Sequence, residues 1–364
     1  MAYPRKAADA NGGTVRGANP ILLAGALIVA AVAVSYLGYT VYHELGLASM
    51  GGPDGPTAAA MAPTREPLKQ FNTTDLRIDR EQIRSGGPPK DGIPALTVGD
   101  PGEPPKLAPV EDADFLDADD RVVGVKVGDE ARAYAIGVLN WHECVNDTLG
   151  GRPIAVVYCP LCDSVTVVDR RIGDRTLGFG ISGLLTNSNV LLYDRQTDSL
   201  WSQVKLEAIS GPYAGQSLDH LGGWRITTFA AWKKRHPGST VLTFDTGHRR
   251  RYQRNPYGDY FDRPRLMFPV AHEDDRLARK ARVIGIRLAD RAIAYPLAAI
   301  ADAEGGRVTD RIDGALIVLE ADDEANVHLA QAPDEAEIVH TFWFTWAAFH
   351  PQTEIRGRDS EPAG

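Results

Sequence analysis

Residues 121 to 139, RVVGVKVGDEARAYAIGVL, align without a gap on residues 282 to 300, RVIGIRLADRAIAYPLAAI, keeping Arg, Val, Gly, Asp, two Ala and Tyr in place. A chain that repeats a segment this closely is expected to build the same local unit twice. In each copy apolar residues alternate with Gly or a base, Val123, Val125 and Val127 in one and Ile284, Ile286 and Leu288 in the other, the period of a half-buried strand. Gly128-Asp129 and Ala289-Asp290 then turn the chain into a second short strand and a short helix. Further on, Trp232, His236 and Pro237 match Trp346, His350 and Pro351 as WxxxHP. The predicted strands are 122–127, 131–135, 153–158, 164–170, 176–181, 189–193, 240–244, 283–288, 292–295, 315–320 and 338–342, and the predicted helices 136–143, 228–236, 297–303 and 344–349. The expected fold is therefore mainly β (α+β): two related β-rich lobes from an internal duplication, plus one N-terminal transmembrane helix.

That helix is Ile21 to Tyr42, an uncharged stretch of 22 residues and long enough to span the hydrocarbon core. Arg5, Lys6 and Arg16 precede it, and the first Lys or Arg after it is Arg65, so residues 1–20 are expected as a cytoplasmic tail with the rest extracytoplasmic. The remaining boundaries are a flexible Gly-, Pro- and Ala-rich linker over 43–68, a first lobe over 69–245, a connecting segment over 246–281 and a truncated second lobe over 282–364. The net charge of −9 argues against a nucleic-acid partner, which requires a basic face. The expected partners are the membrane, through Ile21 to Tyr42, and a thiol, disulfide or electron partner whose identity the sequence leaves open.

The copies differ in the middle, and only the first carries Cys159, Pro160, Leu161 and Cys162. The β-branched run Val165 to Val168 after this CxxC reads as strand, so the motif is a knuckle between strands and not the helix N-terminus that activates a thioredoxin-like thiol. Three readings stay open: a redox-active dithiol, a soft-metal ligand pair, or a structural disulfide, the last being a poor staple because so short a loop constrains little chain entropy. The redox reading requires no cofactor but does require that the sulfurs be reachable. The metal reading takes copper or zinc on Cys159, Cys162 and His142. Candidate helpers are His142 and Lys90, either of which would favour a thiolate, with Trp201 and Gln203 as site-lining residues; Cys144 is a third thiol that could resolve a mixed disulfide.

The stretches GGPPKDGIPAL (86–96), RAYAIGVLNWHE (132–143), NDTLGGRPIAVVYCPLCDS (146–164), YDRQTDSLWSQ (193–203) and the paired WxxxHP endings together carry a resemblance over about residues 70 to 355. The chain resembles the bacterial domain-of-unknown-function family thirty-one seventy-nine, whose members are exported or membrane-anchored. Some members are described as selenoproteins, so the resemblance implies selenocysteine at the dithiol in those relatives and favours redox chemistry. It implies no substrate. At the position of Cys144 the family pattern is commonly aliphatic, which weakens a mechanism built on a third cysteine.

Overall fold

Both alternating segments become antiparallel hairpins in the computed structural model, which describes residues 67–102, 105–322, 324 and 326–357. In chain order, β1 (Arg121–Val127) turns into β2 (Glu130–Ala135) and the short helix α1 (Ile136–His142). There follow β3 (Cys144–Leu149), β4 (Arg152–Cys159), β5 (Ser164–Asp169), β6 (Phe179–Thr186), β7 (Asn189–Asp194), β8 (Trp224–Thr228), α2 (Phe229–Arg235) and β9 (Thr240–Leu242). A largely irregular stretch from 243 to 281 holds one 3-10 turn at Tyr260–Asp262. The chain ends with β10 (Arg282–Leu288), β11 (Arg291–Pro296), α3 (Leu297–Ala301), β12 (Arg307–Ile312), β13 (Ala315–Ala321), β14 (Val327–Gln331), β15 (Glu337–Phe342), α4 (Trp343–Phe349) and β16 (Glu354–Ile355). The fold is mainly β, arranged in several sheets.

An eight-stranded sheet runs in the order Leu96–Thr97, β3, β4, β5, β15, β10, β11, β16. A five-stranded sheet runs β8, β1, β2, β9, Leu107–Pro109. Strands from 69–245 and from 282–364 thus lie side by side in one sheet, joined where Val165 of β5 faces His340 of β15. The order β8-β1-β2-β9 recurs as β15-β10-β11-β16, down to the parallel pairing of the last two strands, Val241 with Ala133 and Ala294 with Ile355.

The first hairpin is not half-buried, as the alternation predicts. Val122, Val123, Gly124 and Val125 are all buried, because helix α2 covers the face that would otherwise meet solvent. The contact is close: a Cβ on Gly124 would stand 2.1 Å from the Trp232 ring, and one on Gly285 would stand 2.2 Å from the Trp346 ring. Each indole N–H then donates to a hydroxyl, Trp232 to Ser239 at 3.0 Å and Trp346 to Thr353 at 2.8 Å, and each ring packs on the His of its own motif. Gly285→Ala is therefore expected to lower stability by about 1–3 kcal/mol through overpacking. Gly222→Ala, where a Cβ would meet nothing, is the control and should stay within about 0.5 kcal/mol in the same thermal melts.

Among the described residues no helix is long and apolar enough to cross a membrane. The tail at 1–20, the anchor at 21–42 and nearly all of the linker at 43–68 lie outside the described residues.

Candidate functional site

Strand β4 delivers Cys159 at its last position, Pro160 opens a single 3-10 turn through Cys162, and Asp163 takes a left-handed conformation that admits β5 at Ser164. The knuckle closes with Cys159 opposite Ser164 in antiparallel register. Both cysteines are free, and their Sγ atoms stand 3.4 Å apart, in contact but unbonded.

The surroundings of the pair are polar at short range. Cys162 Sγ donates to the Ser188 carbonyl at 3.2 Å, and Asn189 Nδ2 approaches the same sulfur at 3.4 Å. Gln203 fixes this arrangement. Its Nε2 donates to the carbonyls of Val157 and Ser164, so its Oε1 must accept, and it does so from Asn189 Nδ2 at 2.6 Å and Ser164 Oγ at 2.7 Å. The second lobe completes the site: Thr341 Oγ1 donates to the Cys162 carbonyl at 3.4 Å, and Thr345 of α4 turns its hydroxyl toward the Cys162 sulfur.

These contacts split the two thiols. Burial pushes Cys159 well up, and its bond to Cys162 and that neighbour's charge push it further. Burial also pushes Cys162 up, but its contacts with Cys159 and Asn189, and the Thr345 hydroxyl that faces it without a well-formed bond, outweigh burial and hold this thiol below its ordinary value. Glu143, at the left-handed C-cap of α1, is buried and pushed up to about 8, first by burial and then by the negative charge of Cys162, while the Tyr257 hydroxyl at 3.5 Å from its Oε1 acts the other way. Of the ten non-glycine residues with positive φ among those described, Glu143, Asp163, Asn187 and Ser188 adjoin this one site. Strained backbone held so close to reactive groups is characteristic of functional sites.

The sulfurs are sealed. Cys159 is 1% and Cys162 0% exposed, so neither is the more exposed attacking thiol that the sequence reading expects. The irregular stretch straps over the knuckle: Tyr260 Oη donates to the Leu161 carbonyl at 2.7 Å, Phe268 joins the apolar cluster that holds both cysteines, and the Lys280 ammonium sits 3.4 Å over the Tyr260 ring. Tyr158 points to the opposite face of the sheet, into the main core. There a cavity of about 390 Å³ is lined by Arg121, Asn140, Tyr158, Phe261 and Arg282 among others, and neither sulfur lines it.

Of the residues singled out from sequence, Gln203 belongs to the site as the side chain that orients Asn189, and Trp201 packs in the same apolar cluster as the cysteines. The Trp201 indole donates to Asp194 at 3.0 Å and its ring meets Phe179 edge to face and Tyr213 at a tilt, which is a core role. His142 and Lys90 are corrected. His142 Nδ1–H donates to the Pro94 carbonyl and Nε2 accepts from Tyr252, and burial lowers the imidazole to about 3, so it is neutral and faces neither sulfur as a cation. Lys90 pairs with Asp198 at 2.6 Å and lies over the Tyr193 ring, held by a nearer carboxylate. With both nitrogens of His142 engaged, the Cys159, Cys162, His142 set for copper or zinc does not assemble, and among the described residues no group of three or more His, Cys, Asp or Glu side chains is placed to hold a metal ion. Cys144 is buried in β3 and pushed up to about 12 by burial, an unreactive thiol. The residues that sequence reasoning passes over are Glu143, Ser188, Asn189 and Thr345; the turn dipeptide Asn187-Ser188 before an apolar strand is the one readable signal among them.

A family described as "Protein of unknown function (DUF3179)" matches residues 90–338. The chain belongs to this family. The matched span includes the knuckle, Glu143, Asn189 and Gln203, and ends before Thr345. No curated protein and no solved structure matches the chain.

Proposed function

We propose that this DUF3179 protein is a thiol/disulfide redox or electron-transfer protein that cycles Cys159 and Cys162 between dithiol and disulfide, anchored to the membrane by Ile21 to Tyr42 with its folded part extracytoplasmic. The observation that carries the reading is the pair of free sulfurs in contact at 3.4 Å, one of them lowered by aimed donors and the other held protonated. A nucleophilic thiolate beside a neutral thiol is the arrangement that thiol–disulfide chemistry uses. Closing the bond brings the sulfurs from 3.4 Å to about 2 Å and passes two electrons and two protons to the partner. Their burial narrows the electron partner to one small enough to reach them, or to one that first displaces the Tyr257–Phe268 strap.

We further infer that the framework is an internal duplication. The reading is supported by the repeated strand order, the repeated Gly–Trp contacts, and two equivalent residues: Arg121 opens β1 and Arg282 opens β10, and both bind Asp163, the residue after Cys162, at 3.0 and 2.6 Å. A duplicated scaffold would then hold one unique knuckle from both sides.

The test is redox titration of the full-length chain in dithiol/disulfide buffers of graded potential, quenched by alkylation in denaturant and read by mass spectrometry. A reversible two-electron transition is expected at Cys159 and Cys162, tenfold in equilibrium constant per about 30 mV. A pair that stays reduced, or stays linked, at every poise overturns the reading.

A further inference from the structure

Eight buried side-chain nitrogen or oxygen atoms lack a hydrogen-bond partner among the described residues, and three of them, Ser188 Oγ, Asn189 Oδ1 and Thr345 Oγ1, belong to the residues grouped around Cys162. All three residues are at most 1% exposed. Leaving a buried polar atom unpartnered is destabilising, and such atoms in a native fold mark strain or a catalytic role. Asn189 cannot cure its own defect by rotating its amide, because Gln203 Oε1 demands the NH2. Two hydroxyls, which can donate or accept, and one amide oxygen, which can only accept, are thus carried by residues that all contact or face Cys162, and a molecule bearing both O–H donors and oxygen acceptors would satisfy them. It would have to be little larger than water, because both sulfurs are at most 1% exposed beneath Tyr260 and Phe268.

We propose that the Cys159–Cys162 pair reduces a small hydroperoxide, hydrogen peroxide above all, whose oxygens Ser188, Asn189 and Thr345 hold against the Cys162 sulfur. The proposal rests on the redox reading above and names its substrate class. The Cys162 thiolate attacks the near oxygen; the S–O bond forms, the O–O bond breaks, and the departing hydroxide takes the Cys159 thiol proton to leave as water. The Cys159 thiolate then attacks the sulfur of the Cys162 sulfenic acid. The S–S bond forms, the S–O bond breaks, and the second hydroxide takes a proton supplied by Glu143 and becomes the second water. Two thiol sulfurs lose two electrons and one peroxide gains them. A dithiol reductant that displaces the strap over the knuckle, itself oxidised to a disulfide, restores the pair.

The experiment mixes reduced full-length protein with hydrogen peroxide and, separately, with cumene hydroperoxide, following thiol loss by rapid quench and mass spectrometry. One equivalent of hydrogen peroxide should yield an intact chain lighter by two hydrogens, at least about tenfold faster than free cysteine at the same pH, with the bulky peroxide about tenfold slower than the small one, as lost or gained hydrogen bonds of about 1.4 kcal/mol would give. Thr345→Val, which keeps the side-chain shape, should slow the reaction about tenfold while leaving the thiol count and the near-ultraviolet dichroism unchanged. Cys159→Ser should accumulate a dimedone adduct on Cys162. A protein that titrates reversibly in dithiol buffer yet reacts with hydrogen peroxide no faster than free cysteine overturns the peroxide assignment and leaves the redox reading standing. A protein that does neither overturns both.

Discussion

Asp163→Ala is expected to lower stability by about 3 kcal/mol, read as a fall in the urea midpoint with an unchanged slope. The carboxylate is 2% exposed and accepts from Arg121 Nη1 at 3.0 Å, Arg282 Nε at 2.6 Å and Tyr158 Oη at 3.0 Å. Burial alone would raise it, but the two guanidiniums reverse that and hold the carboxyl below its usual range. Removing it strands two cations that the fold has brought together, and the loss sits at the low end for a buried pair because the arginine side chains keep 33% and 48% of their surface in water. The sign with pH follows from the lowered value. The stabilisation is present above the unfolded carboxyl's range and is lost as pH falls through the folded one, so the native protein should lose its advantage over the variant below about pH 4. A midpoint shift worth less than about 1 kcal/mol would show that Asp163 does not tie the two arginine-led strands together.

The elements read correctly from sequence are those whose signal is local. The hairpins at 121–135 and 282–296, the helices after them and the strand–knuckle–strand around Cys159 each follow from alternation, turn residues and β-branched runs within a dozen positions. Strand β3, CVNDTL, carries polar residues where a buried strand should be apolar, and its reasons are distant: Asn146 bonds the carbonyls of Leu96 and Phe179, and Asp147 binds Arg132 and Tyr134. The candidate site divides in the same way. Cys159, Cys162 and Gln203 are legible as chemistry. Thr345 reaches Cys162 across more than 180 positions of chain from a helix that reads as framework, and Lys90 and His142 look like thiolate partners until Asp198, Pro94 and Tyr252 are seen to claim them. Pairing of distant polar groups has no period, so no pattern in one sequence announces it.

Glu143→Gln is expected to remove a steep loss of stability between pH 5 and pH 8. The folded carboxyl titrates at about 8, raised from 4.5 first by burial and then by the Cys162 charge, so across that window the native state holds a proton that the unfolded chain has already released. Stability then falls as pH rises, by about 1.4 kcal/mol per pH unit and on the order of 4 kcal/mol in total, and levels off once both states are ionised above about pH 8. The glutamine variant carries no titrating proton there and should be the more stable protein at pH 8 and nearly equal to the native one at pH 5, in urea melts run at matched ionic strength. The same substitution separates two effects on the thiols. It abolishes the negative charge that Glu143 sets beside the sulfurs above about pH 8, so the Cys162 thiolate should no longer be opposed there by a neighbouring carboxylate, and it abolishes the proton delivered to the departing oxygen, so disulfide formation should slow at pH 7, where the native carboxyl is protonated. Native and variant proteins with parallel stability profiles from pH 5 to pH 8 would mean that Glu143 is ionised in the fold, and a proton held beside Cys162 would then have to come from another group.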